Sequence, residues 1–490
     1  MRNTLRYLIL PVLNASGPVF MWLAVVMLLP MIVAWTHQEV SLHSFIACVL
    51  ITFFTGMFLT VATRRYKTEL TARHGFLLVT LIWTAVPLFS TIPFFFETPH
   101  LSFPKIYFEM MSCLTTTGAT VFTGLDDLPM SLNGWRCCLS WMGGMGLIVL
   151  SVAILPLLGV GGAQIFKAEA SGPLKEQKLT PRIADTAKAL YLIYFGISMA
   201  CAVSYHLAGM NWADAIMHMM TTVSLSGIST HDASYSYFNS PVIDYVAVFF
   251  MVVCGFNFAL HFVAWHSRNI MNYLHDREAM GWIFTLFGIS LLTYLILTDV
   301  HYYATWQETL RYTLFSVVSA ASTTGFSNSD YSLWPRGLPV LIMISAAFAT
   351  CAGSTGGGIK QIRVAILFEQ LRREFLLLLY PNAVVPLSVG NTKIDNKVSF
   401  AVLVYAFLWI LTYFVGFMLL LLSGLSSTEA LSAPVAMLAN LGPGLGSVGP
   451  SGNYSGLTGF QLWICSFLML AGRLELFTVF VLFTKKFWQS

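Results

Sequence analysis

Long apolar stretches alternate with short polar breaks along the whole chain, and few of them carry a charge. A helix needs about 20 residues to cross ~30 Å of hydrocarbon. On that measure spans are predicted at 17–37, 43–63, 75–96, 136–158, 187–208, 241–266, 280–299, 337–360, 398–424 and 458–484. Within each of the last four pairs lies a segment too short to cross, at 101–114, 211–223, 304–321 and 427–439. Each runs into a small loop built on glycine: Thr115-Thr116-Thr117-Gly118-Ala119, Val223-Ser224-Leu225-Ser226-Gly227-Ile228, Ser322-Thr323-Thr324-Gly325-Phe326 and Asn440-Leu441-Gly442-Pro443-Gly444. The central glycines Gly118, Gly227, Gly325 and Gly442 lie 109, 98 and 117 residues apart. That period is too long for a solenoid and suits a unit of roughly a hundred residues repeated four times about one axis.

The expected fold is an all-α polytopic membrane protein with four helix–pore helix–filter loop–helix units around one central pore, preceded by an extra helix pair. The units divide as N-terminal helix pair 1–70, repeat one 71–162, linker 163–186, repeat two 187–275, repeat three 276–375, linker 376–397 and repeat four 398–490.

Composition agrees: 57% hydrophobic and 10% charged residues, against roughly 25% charged in soluble domains, with a mean hydropathy of +0.72. Charge then fixes an orientation, since Lys and Arg of short loops stay cytoplasmic. With both termini inside, all 26 basic residues are cytoplasmic except Lys105, Arg136, Arg311 and Arg336 outside and Arg473 within a span. The net charge of +4 therefore belongs to the inner membrane face and says nothing for nucleic acid. Residues 1–16 resemble the start of a signal peptide, but the apolar run after Pro18 is too long for one, so an uncleaved span is expected. The 8 cysteines lie mostly in apolar segments with no CxxC and read as buried small hydrophobes.

Glycine loops at such a depth have a specific chemical use. A cation that sheds its water needs oxygen ligands, and backbone carbonyls supply them where glycine lets the chain turn them inward. Irregular backbone is tolerated in a membrane only inside protein or along a water-filled cavity. The preceding short helices aim their partly negative C-termini at the same place. Aligned on the glycine, Ser112, Thr221, Ser319 and Ala436 fall six positions before it, where small residues permit close helix packing. Glu109, His218, Ser316 and Ala433 fall nine before it. Coincidence in a Ser/Thr-rich stretch accounts for such a column equally well.

At these residues the chain resembles the Trk/Ktr/HKT family of potassium transporters, and within it the bacterial TrkH-like branch. The resemblance is carried by TTTGAT at 115–120, WMGGMG at 141–146, SGIS at 226–229, STTGFS at 322–327, GSTGGGIK at 353–360 and ANLGPGLG at 439–446. It implies a K+ filter made by Thr116, Thr117, Gly118, Leu225, Ser226, Gly227, Thr323, Thr324, Gly325, Asn440, Leu441 and Gly442, with potassium as the transported ion. Some plant relatives have Ser at the first glycine and favour sodium, so Gly118 speaks for potassium. One departure is the second loop, Leu225-Ser226-Gly227-Ile228, where the family commonly reads STGG. The resemblance thus bears more directly on cation conduction than on K+ over Na+ discrimination.

Two gate candidates follow. Gly353, Ser354, Thr355, Gly356, Gly357 and Gly358 interrupt an apolar span at roughly 1 kcal/mol of helix propensity per glycine, and Lys360 follows directly. In the family this is the intramembrane loop below the filter. A close helix crossing is the plainer alternative, and a phosphate loop fails on the placement of Lys360. The second candidate is Arg473, deep in the last span, where a lone charge turns to a cavity or a partner. The resemblance puts it beneath the filter; an ion pair with Glu475 is the structural alternative, although two residues apart on a helix they point apart. Asn257 reads equally as cavity-lining or as a satisfied intramembrane amide. Asp126, Asp127, Asp232 and Asp330 read as exposed loop acids, and Gly159-Val160-Gly161-Gly162 is no dinucleotide fingerprint.

The resemblance further implies a homodimer in the bacterial inner membrane, docked on a cytoplasmic TrkA-like nucleotide-binding subunit. The basic loops 164–188 and 363–397 are candidate docking surfaces. No organic cofactor is expected on this chain. Membrane potential alone and symport are both compatible with these loops. The alternatives are the ion-translocating subunit of a potassium-pumping ATPase, a less selective K+/Na+ pathway and, from another class, a polytopic membrane enzyme. Against the enzyme, no Ser-His-Asp, HExxH or paired intramembrane carboxylates appear.

Overall fold

A computed structural model describes residues 2–149, 183–348, 350–390 and 392–489. Among them the chain is helical apart from one two-stranded antiparallel pairing, Ser388–Val389 with Thr392–Lys393. Among the described residues six helices are long and apolar enough to cross a membrane, within 6–36, 42–62, 72–97, 187–207, 277–299 and 396–422. The first two elements form the leading pair: Arg2–Val26 continues into Leu28–Thr36 and packs along Leu42–Ala62. They cross closely at Gly17 and Gly56, where a Cβ on either would come within 2.6 Å of the other's carbonyl oxygen. Small residues of this kind are what lets membrane helices approach. The first helix starts well before the expected residue 17 and runs through Pro11 and Pro18.

Two expected straight spans are broken. Pro241–Cys254 and Phe258–Ser267 meet at 91°, and Gly459–Arg473 meets Phe477–Phe483 at 111°. At the first break Gly255 O and Phe258 N bond to Cys351 N and Gly353 O at 3.1 Å each, so the freed backbone groups are satisfied by another repeat. At the second, Glu475 and Leu476 both take left-handed backbone, with φ of 58° and 52°. The expected span 337–360 stops as a helix at Phe348, and a new helix, Gln361–Leu379, begins after the glycine run. The expected span 136–158 starts earlier, within helix Met130–Val149. Residues 150–158, the linker 163–182 and Gly159–Gly162 lie outside the described residues.

The four short segments are helices, Phe103–Leu114, Trp212–Val223, Trp306–Ala321 and Ser427–Leu438. Their starts are written in the sequence. Thr305 with Glu308 and Ser426 with Glu429 form capping boxes, Asn211 accepts from Asp214 N at 2.8 Å, and Pro104 sits in the first turn after Ser102. Each short helix lies between the two arms of its repeat, and the hydrophobic core gathers around their buried faces.

Candidate functional site

All four short helices end in the same way. The residue after the C-cap, Thr116, Leu225, Thr323 or Asn440, takes left-handed φ of 51°, 53°, 61° and 54°. The next amide reaches five residues back: Thr117 N to Ser112 O at 2.9 Å, and Ser226 N to Thr221 O, Thr324 N to Ser319 O and Leu441 N to Ala436 O at 2.8 Å. This is the Schellman termination, built four times without glycine at its left-handed position. A non-glycine residue there costs roughly 1–2 kcal/mol, so four repetitions mark a required backbone path. The column six before the glycine thus matters through its carbonyls, and all four of its residues are buried.

Two residues on, Gly118, Gly227, Gly325 and Gly442 again have positive φ, 85°, 72°, 86° and 92°. Their neighbours run round a circle. A Cβ on Gly118 would lie 2.2 Å from Ser226 O, on Gly227 2.0 Å from Thr324 O, on Gly325 2.1 Å from Leu441 O, and on Gly442 2.5 Å from Thr117 O. Each glycine therefore presses on the carbonyl of the next repeat, and the fourth closes on the first. Asn440 strengthens that seam, its Nδ2 donating to Thr117 Oγ1 at 3.0 Å and to Met469 O at 3.1 Å.

The ring leaves acceptors over. Among the described residues no donor bonds to the carbonyls of residues 115–118, 224–227, 322–325 or 439–441; Gly442 O alone receives one, from Tyr454 Oη at 2.8 Å. Thr116, Thr117, Leu225, Ser226, Thr323, Thr324, Asn440 and Leu441 are all buried. Backbone carbonyls of buried residues are otherwise paired almost without exception, so this set stands apart from the rest of the chain. On one side the four glycines line a vestibule of about 270 Å³ together with Arg136, His231 and Asp232.

Carboxylates tie down the chain beyond each glycine. Glu109 pairs with Arg136 at 2.7 Å and accepts from Val121 N at 2.8 Å, and Arg136 donates onward to Ser229 O at 3.1 Å. Arg136, expected at the outer end of the span 136–158, is thus a buried strut. Asp214 meets His231 at 3.2 Å, Asp244 takes Arg311 at 2.7 Å and Asn328 at 2.9 Å, and Glu429 accepts from Ser447 N at 3.2 Å. The loop acids are not idle either. Asp126 meets His231 at 2.5 Å, and Asp232 accepts from Gly124 N at 2.8 Å. Burial pulls the His231 imidazole down, but its bonds to Asp214 and Asp126 outweigh that and hold its pKa above the usual value. Arg136 to Ser229, Asp244 to Arg311 and Asn328, Asp126 to His231 and Asp232 to Gly124 join different repeats, so spacing along the chain gave no sign of them.

On the far side of the ring lies the glycine-rich segment. Thr355 Oγ1 donates to Val223 O at 3.0 Å and Gly357 N to Thr323 Oγ1 at 2.8 Å. A Cβ on Gly357 would fall 2.1 Å from Ala439 O, and one on Gly356 2.9 Å from Ser322 O. The segment therefore sits against the C-terminal ends of three short helices. Thr350 Oγ1 bonds to Gly357 O at 2.8 Å, and Ser354 folds back on Cys351 O. Gly353 and Gly358 take positive φ, as does Lys360, whose Nζ is buried against Gly356 O. Arg473, 2% exposed, donates to Thr355 O at 3.0 Å and to Gly143 O at 3.4 Å. It does not pair with Glu475, which meets Arg363 at 2.7 Å. Asn257 caps Ala259 N at 2.8 Å beside Gly353.

Residues 41–490 match the family model described as TrkH, cation transport protein. The chain belongs to the TrkH family. It is 40% identical over 480 residues to the Trk system potassium uptake protein TrkH of Halomonas elongata, covering 98% of this chain and 99% of that one. To the protein of the same name from Escherichia coli K12 it is 41% identical over 465 residues, covering 95% and 96%. The crystal structure of the potassium transporter TrkH from Vibrio parahaemolyticus superposes with a TM-score of 0.90 at 38% identity, covering 98% of this chain and 99% of that one. The TrkH family comprises cation transport proteins, not enzymes, and this member is a multi-pass helical membrane protein.

Proposed function

We propose that this chain takes up potassium through the ring of four glycine loops, which acts as its selectivity filter. The observation that carries the reading is the closed circle of glycine-to-carbonyl contacts with its unpartnered buried carbonyls. Such carbonyls replace the water of a cation, and the short-helix C-termini add a field that favours positive charge. The named activity of the Halomonas and Escherichia relatives makes that cation K+.

The segment 353–358, Lys360 and Arg473 form the gate. Polar backbone and two cationic side chains packed against the base of the filter bar a cation's way until they move. In this reading the chain divides into the helix pair 1–70 and pore units 71–162, 187–275, 276–375 and 398–490, with linkers 163–186 and 376–397. It lies in the bacterial inner membrane with both termini cytoplasmic, because basic residues then fall inside. It works as a homodimer with a TrkA-like nucleotide-binding subunit, to which the shared "Trk system" name points. The deciding experiment is ⁸⁶Rb+ uptake into proteoliposomes with K+ and Na+ as competitors and Gly325→Asp as the control. Uptake competed by K+ and lost in the variant is expected; uptake that survives Gly325→Asp overturns the filter.

A further inference from the structure

We infer that Glu278 is the latch of the gate: its carboxylate holds both feet of the intramembrane segment together, and opening requires at least one foot to be released. The inference rests on the gate reading above. Glu278 lies in the first turn of helix Arg277–Asp299, the first arm of repeat three, whereas the segment belongs to the second arm. Its Oε1 accepts from Ala352 N at 2.7 Å and from Ile362 N at 3.3 Å. These two amides bracket the glycine run, one just before Gly353 and the other just after Lys360 and Gln361. One oxygen thus closes the neck of the whole loop.

The chemistry makes this tie different from its neighbours. Ile362 is the second residue of helix Gln361–Leu379, so its N–H is one of the donors left over at a helix start, where negative charge is favoured. Hydrogen bonds to a carboxylate are roughly twice as strong as neutral ones. The backbone ties at the feet are neutral, Cys351 N to Gly255 O at 3.1 Å, Ile359 N to Ala347 O at 2.7 Å and Gln361 N to Thr350 O at 2.8 Å, and the one cationic tie, Lys360 Nζ to Thr350 Oγ1, is long at 3.4 Å. Among the described residues, Glu278 is the one side chain bonded to both feet. Glu278 is also half-buried and follows directly on the polar stretch 268–277, which the proposed orientation puts at the cytoplasmic face. A shift of this helix end therefore pulls on the gate without touching the filter. Glu278 acts through the segment and is a positioning residue.

Cys351 gives a built-in reporter, since it is 1% exposed and lies beside Ala352, with its Sγ 3.8 Å from Glu278 O. The test compares the full chain with Glu278→Gln and Glu278→Ala, reading Cys351 labelling by a water-soluble maleimide in detergent, with Cys351→Ser for background. It also reads basal ⁸⁶Rb+ uptake and K+/Na+ competition in proteoliposomes. Loss of charge-assisted bonds at both feet is expected to speed labelling at least about tenfold in Glu278→Ala, and less in Glu278→Gln. Uptake should rise in the same order while the competition profile stays as in the parent. A purely structural role would lower yield and melting temperature without that graded labelling. Should Glu278→Ala not fold, the isosteric Glu278→Gln decides. Parental labelling in the folded variants overturns the latch, whereas faster labelling with parental uptake keeps the latch and overturns the segment as gate.

Discussion

The ring of glycine loops and the layer packed against its base sit in direct contact, yet they are built on opposite plans. In the ring every repeat does the same thing: one left-handed residue, one backbone bond reaching five residues back, one glycine on the next repeat's carbonyl. In the layer below the repeats contribute unlike residues. Repeat one brings Gly143, repeat two a right-angled break, repeat three the glycine-rich segment, and repeat four Arg473 with a second break. Backbone carbonyls can be repeated by very different sequences, since Thr, Leu, Thr and Asn all occupy the left-handed position. The proposed gate needs single side chains at single places, which four identical subunits could not supply. One covalent chain holding four unlike repeats gives both.

The largest effect is expected where that equivalence is attacked directly. Gly227→Ala puts a methyl 2.0 Å from Thr324 O on backbone at φ 72°, so ⁸⁶Rb+ uptake should fall to background, about a hundredfold or more, in protein that still elutes as a folded species. The alanine variants of Gly118, Gly325 and Gly442 should follow; one that transports normally would show that its repeat is not equivalent to the rest. Arg473→Ala comes next, because it touches only the unlike layer. It removes a fixed charge and two carbonyl contacts below the ring, so basal uptake should rise several-fold with K+/Na+ competition unchanged, and a changed competition profile would move Arg473 into the filter's own function. The smallest effect lies in the struts above the ring. His231 has a folded-state pKa above its ordinary 6.5, so its ion pairs with Asp126 and Asp214 stabilise fully below about pH 6.5 and fade as pH climbs through the raised value. Melting temperature should therefore drop more between pH 6 and pH 8 in the parent than in His231→Gln, and equal drops would remove the imidazolium from the strut.

Much of the ring was legible from the sequence, because glycines with small hydroxyl neighbours at regular intervals have no cheaper explanation in an apolar chain. All twelve proposed filter residues come together. Its order of closure was not legible, since contacts between repeats leave no spacing to read. Nor were Thr116, Leu225, Thr323 and Asn440 recognisable as left-handed, for only glycine advertises that conformation. The expected spans 241–266 and 458–484 came out bent because their breaks hang on partners elsewhere, Cys351 and Gly353 for one and Arg363 for the other. The separation of Arg473 from Glu475 was foreseen from helix geometry, but their true partners were not. Glu278 escaped notice altogether, as it stands more than 70 positions from the segment it holds.

The seam between Gly442 and Thr117 also bears on how the protein is made. Translation delivers repeats in order, at about 5–20 residues per second, so the first three loops enter the membrane before the fourth exists. Until Gly442 and Asn440 arrive, Thr117 has no neighbour on that side and the circle stays open. A nascent or prematurely terminated chain therefore holds a gapped arc of loops in place of a closed ring. Because Arg473 follows Gly442 within the same repeat, the ring and the buried charge beneath it are completed almost together.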